Sequence, residues 1–223
     1  MQYLRTYAYV DGYNLYHGII DPRNKVPDGF NAHSKDRPWG NLLWLDLEKF
    51  IKSYNLPYVN LAKIKFFEAP SYKVSSLQRQ QNYKNALLTL NTVDDQSFFG
   101  GEFKTNDIKC PNCGEKITHH TEKRTDVSIA VELMGDFYLG NCEAMVIIGG
   151  DTDFFPAIEK IMLFDPNFLI YIIFPPHRSS MIMKKLVGNN RCRKIDYKRL
   201  VRYQFPTRLV LDGHIIEKPI EYK

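Results

Sequence analysis

Four aspartates stand where alternating strands and helices would bring them to one edge. Asp11 closes an aromatic and β-branched stretch, residues 6–10, and precedes Gly12. Asp151 and Asp153 follow the apolar run 144–148 and the pair Gly149-Gly150, and Asp126 opens an amphipathic stretch over 126–139. Carboxylates crowded on one rim repel one another unless a cation sits among them. Hard ions such as Mg²⁺ and Mn²⁺ take oxygen ligands, often one or two carboxylates plus waters and substrate phosphates. Such an ion polarises a phosphodiester, activates a water and stabilises the leaving oxygen. Each acid also has an ordinary structural use. Asp11 suits a turn, Asp126 or Thr125 suits the N-cap of the helix there, and Asp151 and Asp153 suit the cap of the helix that follows. The metal reading rests on the four together. No His or Lys in these segments is placed as a general base, so an ion-activated water is the expected nucleophile. A phosphatase using Asp11 as nucleophile is disfavoured, because the residue two further on is Tyr13 rather than a second acid.

The elements that must position these residues follow from hydrophobic periodicity. Strands are expected over 6–10, 60–67, 98–107, 144–148 and 168–174. Helices are expected over 14–20, 42–54, 78–90, 126–139, 155–164 and 180–187, and a loop over 21–40. Two strands, 144–148 and 168–174, are apolar throughout, as in strands buried on both faces. The alternation implies βαβ units, an α/β fold and a mainly parallel central sheet covered on both sides. In such folds ligands bind outside the carboxyl ends of the strands.

The chain has 223 residues, 44% hydrophobic and 25% charged, enough for a real core and close to the globular average. This excludes a mainly disordered, collagen-like or coiled-coil chain. Residues 1–208 read as one domain, with an insertion near 108–120 and an extension over 209–223. The N-terminal residues have no signal-peptide pattern, no stretch is apolar enough to span a membrane, and the cysteine usage fits a reduced, cytoplasmic setting.

Net charge is +5, unevenly spread. Residues 178–208 hold ten Lys and Arg against the single acid Asp196, so that stretch carries +9 and the rest −4. A basic stretch beside an acidic remainder suits a polyanion such as RNA. Arg178, Ser179, Lys184, Lys185, Arg191 and Arg193 are the candidate backbone contacts, with Arg79 a weaker one that also reads as a solvated helix residue. Cys110-Pro111-Asn112-Cys113-Gly114 has the spacing of half a zinc knuckle. His119 and His120 could complete a structural Zn²⁺ site; a reduced unligated pair and a redox pair are the other readings. Cys142 and Cys192 read as buried small apolar residues.

The segment Val10-Asp11-Gly12-Tyr13-Asn14-Leu15-Tyr16 resembles the opening of NYN domains, the LabA-like branch of PIN-like nucleases. Glu122-Lys123-Arg124-Thr125-Asp126-Val127-Ser128-Ile129-Ala130 resembles their central helix, and Ile148-Gly149-Gly150-Asp151-Thr152-Asp153-Phe154 their acidic turn. Phe174-Pro175-Pro176-His177-Arg178-Ser179-Ser180 and Gln204-Phe205-Pro206 are similar to one bacterial branch. The resemblance implies a three-layer α/β/α PIN-like fold and a metal-dependent ribonuclease. It implies Asp11, Asp126, Asp151 and Asp153 as the Mg²⁺ or Mn²⁺ site, with Asn14 beside it. Gly149 stands where the family commonly has serine. The competing expectation is an RNA-binding adaptor with a degenerate site; a homodimer is left open.

Overall fold

The computed structural model describes residues 2–110 and 112–222, and the side chains of all of these except Ile117 and His119. In chain order the elements are β1 (Leu4–Asp11), α1 (Gly12–Ile19), α2 (Leu47–Lys52), β2 (Val59–Glu68), α3 (Val74–Leu87), β3 (Phe98–Gly100), β4 (Glu102–Lys109), β5 (Lys116–Lys123), α4 (Thr125–Tyr138), β6 (Ala144–Ile148), α5 (Phe155–Phe164), β7 (Leu169–Phe174), α6 (Met181–Val187), β8 (Cys192–Lys194), α7 (Tyr197–Arg202), β9 (Arg208–Leu211) and β10 (His214–Glu217).

Six strands form one parallel sheet in the order β3-β2-β1-β6-β7-β8. Its two faces are read directly from side-chain alternation. Ala8 and Val10 of β1, Val146 and Ile148 of β6, and Ile173 of β7 pack with Leu15, Phe50, Leu87 and Leu200 of α1, α2, α3 and α7. Tyr9, Met145, Ile147 and Ile172 face the other way and pack with Ile129, Leu133, Ile158 and Met183 of α4, α5 and α6. The fold is therefore a three-layer α/β/α sandwich. β6 is buried at all five positions, which is why it reads as a continuous apolar run. Among the described residues no helix is long and apolar enough to cross a membrane.

Three expectations are corrected. The strand over 98–107 is two strands. Phe98–Gly100 extends the main sheet, while the polar Glu102–Lys109 pairs antiparallel with the equally polar Lys116–Lys123 in a separate hairpin. Almost nothing apolar in 102–109 could be buried against the sheet. The helix over 42–54 begins only at Leu47, because Asp46 caps it by accepting the Lys49 N–H at 3.0 Å. The N-cap of α4 is neither Thr125 nor Asp126 but Arg124, which sits at φ 79 with no side-chain cap. Toward the C-terminus β9 and β10 form an antiparallel hairpin, in which Ile216, paired with Leu209, is buried in the core.

Candidate functional site

The strand order changes direction between β1 and β6: β1 leads to β2 on one side, and β6 leads to β7 on the other. Such a switch point opens a crevice at the carboxyl ends of the strands. Asp11 is the last residue of β1, and Gly149 to Asp153 follow β6. α4 runs into β6, so its first turn, with Asp126, returns to the same rim. Asp11 is buried, Asp126 and Asp151 are half-buried, and Asp153 is exposed.

The local chemistry holds this rim together. Asp11 caps α1, its Oδ1 accepting the Asn14 N–H at 2.8 Å. The Asn14 side-chain Oδ1 accepts the Gly150 N–H at 3.1 Å, so buried Asn14 ties the β1–α1 corner to the turn after β6. Asp151 Oδ1 accepts the Asp153 N–H at 3.1 Å. Neither acid caps α5, whose N-cap is Phe154 with no side-chain hydrogen bond. The helix-cap use thus applies to Asp11 alone.

Burial pushes Asp11 up to about 7; the Asn14 N–H partly offsets this, and the carboxylates of Asp126, Glu122 and Asp151 add to it. Burial and then Asp151, Asp153 and Glu122 push Asp126 up to about 6. Among the described residues no Lys or Arg is ion-paired to any of the four aspartates. Nor do three His, Cys, Asp or Glu side chains converge closely enough to cage an ion as they stand. The donor set is all carboxylate and carries uncompensated charge. It fits a hard ion that keeps several waters and needs only one or two carboxylates.

Glu122 is the acid that sequence reading passed over. It lies four residues before Asp126 at the end of β5, takes a hydrogen bond from Thr125 Oγ1, and its charge acts on Asp11, Asp126 and Tyr13. Its signal was its place in the segment Glu122-Lys123-Arg124-Thr125-Asp126.

The basic candidates divide. Arg178 is at the rim. Its charge acts on Tyr13 and His17, and its buried Nε–H has no acceptor in the protein. Ser179 is exposed beside it. Lys184 Nζ stands 5.5 Å from the Phe174 ring centre, and Lys185 is exposed. Arg191 does not join them: its guanidinium donates to Phe168 O at 3.4 Å, just before β7 and so at the opposite rim. Arg193 is also turned back, onto Asn190 O and Cys192 O at 2.8 and 2.9 Å. Arg79 is not a free solvated residue but is paired to Glu221 at 2.9 Å.

The cysteine pair sits at the tip of the β4–β5 hairpin. Cys110 N–H donates to Glu115 O and Gly114 N–H to Cys110 O. Backbone N–H groups of Cys113 and Asn112, with the Cys113 side chain, hold the Cys110 thiol below its ordinary value. His120 is four residues down β5 from Lys116, at about 3.4 Å per residue. There it stacks on Tyr72 and shares a hydrogen bond with Thr105, away from the cysteines. The His119 side chain lies outside the described residues. Cys142 is buried beside Tyr9, and half-buried Cys192 points to Gly188 O.

Two predictions arise here. A Cβ on Gly150 would fall inside the carbonyl of Arg178, which is backbone and cannot swing aside. Gly150→Ala should cost about 1–3 kcal/mol by overpacking and displace Arg178 and Asp151 together. Gly149→Ala, whose Cβ would meet Asp11 Cβ at 3.3 Å, should cost less. Equal melting temperatures for Gly150→Ala and wild type would contradict this close approach.

The second concerns pH. Unfolded aspartates titrate near 4, whereas folded Asp11 and Asp126 hold their protons to about 7 and about 6. Between those values the unfolded chain binds fewer protons, so stability falls as pH rises. Metal-free protein should melt a few degrees lower at pH 7.5 than at pH 5. Asp11→Asn, which still caps α1, should flatten that slope. An unchanged slope in the variant would place the titration elsewhere.

No family model matches the chain. It is 26% identical over 191 residues to the 6-hydroxy-3-succinoylpyridine 3-monooxygenase of Pseudomonas putida, a match covering 71% of the chain. The chain spans only 55% of that enzyme's length. Its fold is similar to a protein of unknown function from Vibrio parahaemolyticus, with a TM-score of 0.50 at 14% identity over 88% of this chain and 95% of the other.

Proposed function

We propose that this chain is an enzyme that hydrolyses RNA phosphodiester bonds endonucleolytically with the aid of Mg²⁺ or Mn²⁺. One observation carries the reading. Acids from three separate segments stand along one rim at the sheet's switch point, and burial and then their mutual charge raise the proton affinity of Asp11 and Asp126. Among the described residues none of the four aspartates has an ion-pair partner. A phosphate-binding surface without an ion has no use for that charge. Asp11, Asp126, Asp151 and Asp153 would hold the ion, which supplies Lewis-acid activation of water and stabilisation of the leaving oxygen. Asn14 fixes the Gly149-Gly150 turn that presents Asp151. Arg178, with its unpartnered Nε–H, would receive a phosphate oxygen, since a buried donor left unpaired costs about 1–3 kcal/mol. Lys184 and Lys185 would extend this contact along the strand. The NYN resemblance agrees with these roles. Cleavage of a labelled single-stranded RNA that needs Mn²⁺ and stops with chelator is the direct test; RNA binding without cleavage would favour an adaptor.

A second reading comes from the Pseudomonas enzyme: oxygenation of an aromatic heterocycle. Oxygen uptake driven by a hydroxypyridine with a reduced nicotinamide would support it, and its absence beside Mn²⁺-dependent RNA cleavage would exclude it.

A further inference from the structure

A cavity of about 330 Å³ opens beside the acidic rim, between α1 and α3. Its size falls within the range of small-ligand pockets, about 300–1,000 Å³. It shares a wall with the acid cluster, because Gly12 and Tyr13, directly after Asp11, line it. The charges of Glu122 and Arg178 both reach Tyr13.

Aromatic rings are prominent in the lining, among aliphatic and polar side chains. Tyr72 lies parallel to His120, ring centres 3.7 Å apart and planes 16° apart, and edge-on to Phe103. Tyr72 and Tyr13 are 50% and 46% exposed. His120 takes one face of Tyr72, and the Lys73 Nζ stands 5.7 Å from its ring centre. Tyr13 meets His17 with ring centres 4.2 Å apart, so a ligand ring would stack by displacing the flexible Lys73 side chain. The loop carrying Tyr72 is fixed, because Gln80 takes the Ser71 N–H at 2.7 Å and donates to Ala69 O at 3.1 Å. Arg79, held by Glu221 and Ser76, closes one side. Burial keeps His17 uncharged more readily than usual and pushes Glu68 up to about 7. Both can therefore present neutral hydrogen-bonding edges. Stacked rings with polar groups that include neutral His17 and Glu68 edges and the cations Lys73 and Arg79 suit a planar heterocycle carrying a phosphate. The adjoining acid rim suits that phosphate by way of a cation.

We propose that this cavity seats one unpaired base of an RNA strand whose adjoining phosphate lies at the acidic rim, with Tyr72 and Tyr13 as stacking partners. The proposal rests on the nuclease reading and adds to it a base-binding subsite. The test uses the full chain in chelator, titrated with each nucleoside 5′-monophosphate and with ribose 5-phosphate as the ring-free control. Mn²⁺-dependent RNA cleavage is measured alongside. At least one mononucleotide should bind ten-fold or more tightly than ribose 5-phosphate. Tyr72→Ala should weaken it about five-fold or more through lost stacking, Tyr72→Phe should retain it, and Tyr13→Ala should weaken it independently. In cleavage, Tyr72→Ala should raise KM. A wild type that cleaves RNA but binds mononucleotides no better than ribose 5-phosphate overturns the subsite and leaves the nuclease reading standing. Tyr72-dependent mononucleotide binding in a chain that cleaves no RNA overturns the nuclease reading, and the RNA occupant with it.

Discussion

Asp151→Asn should lower Mn²⁺-dependent RNA cleavage by about a hundred-fold or more while the protein stays folded. The exchange replaces one hard carboxylate oxygen by an amide nitrogen and removes one negative charge at almost constant volume. An ion held by carboxylates supplies several kcal/mol of charge stabilisation to the reaction, and each 1.36 kcal/mol is a factor of about ten in rate. The turn itself should survive, because an asparagine Oδ1 can still accept the Asp153 N–H that Asp151 now takes at 3.1 Å.

Stability separates this outcome from simple damage. Asp151 is the first of the charges acting on Asp126. Its neutralisation should let Asp126 ionise more easily and hold or raise the melting temperature without metal. RNA binding in chelator should also hold or improve, since a repulsive charge facing phosphate has gone. Equal cleavage by both proteins would indicate a contaminating nuclease or a site elsewhere. Unfolding of the variant would mean that the carboxylate charge, and not the hydrogen bond to Asp153 that asparagine keeps, is what the turn depends on.

The sequence carried the sheet and its acid edge because both depend on local signals. Residues 144–148 are apolar at every position, and burial on both faces is the only arrangement that removes all of them from water. Asp11, Asp151 and Asp153 follow strands, and the carboxyl end of a parallel strand fixes their rim without further information. Residues 98–107 were misread because β-propensity does not say which sheet a strand joins. Phe98 and Phe99 pair with β2, while the polar residues after Gly101 pair with β5. Arg191 and Arg193 were grouped with Arg178 by charge alone. Arg191, just before β8, points its guanidinium back to Phe168 O at the far rim. Arg193, although level with Ile173 near the carboxyl end of β7, folds onto Asn190 O and Cys192 O. No charge count reveals these orientations. The aromatic cavity was hidden for the same reason, since Tyr13, Tyr72 and His120 come from α1, the loop before α3, and the hairpin.

Lys65→Met should cost about 3–5 kcal/mol, the range for breaking a buried ion pair from one side. At about 2–4 °C per kcal/mol for a domain of this size, the melting temperature should drop by roughly 6–20 °C. Lys65 is buried in β2 and pairs with Asp136 at 2.5 Å and Glu132 at 2.6 Å, both on α4. It stands 5.5–5.9 Å from the ring centres of Tyr7, Tyr9 and Phe99. Without it, Asp136 stays 4% exposed with only the Tyr9 hydroxyl at 2.6 Å and the Asn141 amide at 2.9 Å. Those dipoles do not neutralise a carboxylate out of water. Glu132 is more exposed and can turn to solvent, so Asp136 carries the cost. Adding Asp136→Asn to Lys65→Met should recover a large part of the loss, because the orphaned charge is then gone. A single variant melting within about 2 °C of wild type would mean that Asp136 takes up a proton instead. The anchor also bears on the site. Ten residues separate Asp136 from Asp126, about 15 Å along α4, so the pair pins one end of the helix whose other end presents Asp126 at the rim. The double variant, stable but with α4 no longer tied to β2 by charge, should cleave RNA more slowly than wild type at equal folded fraction. Full activity in that variant would show that the contacts of Ile129 and Leu133 with the sheet are sufficient to position Asp126.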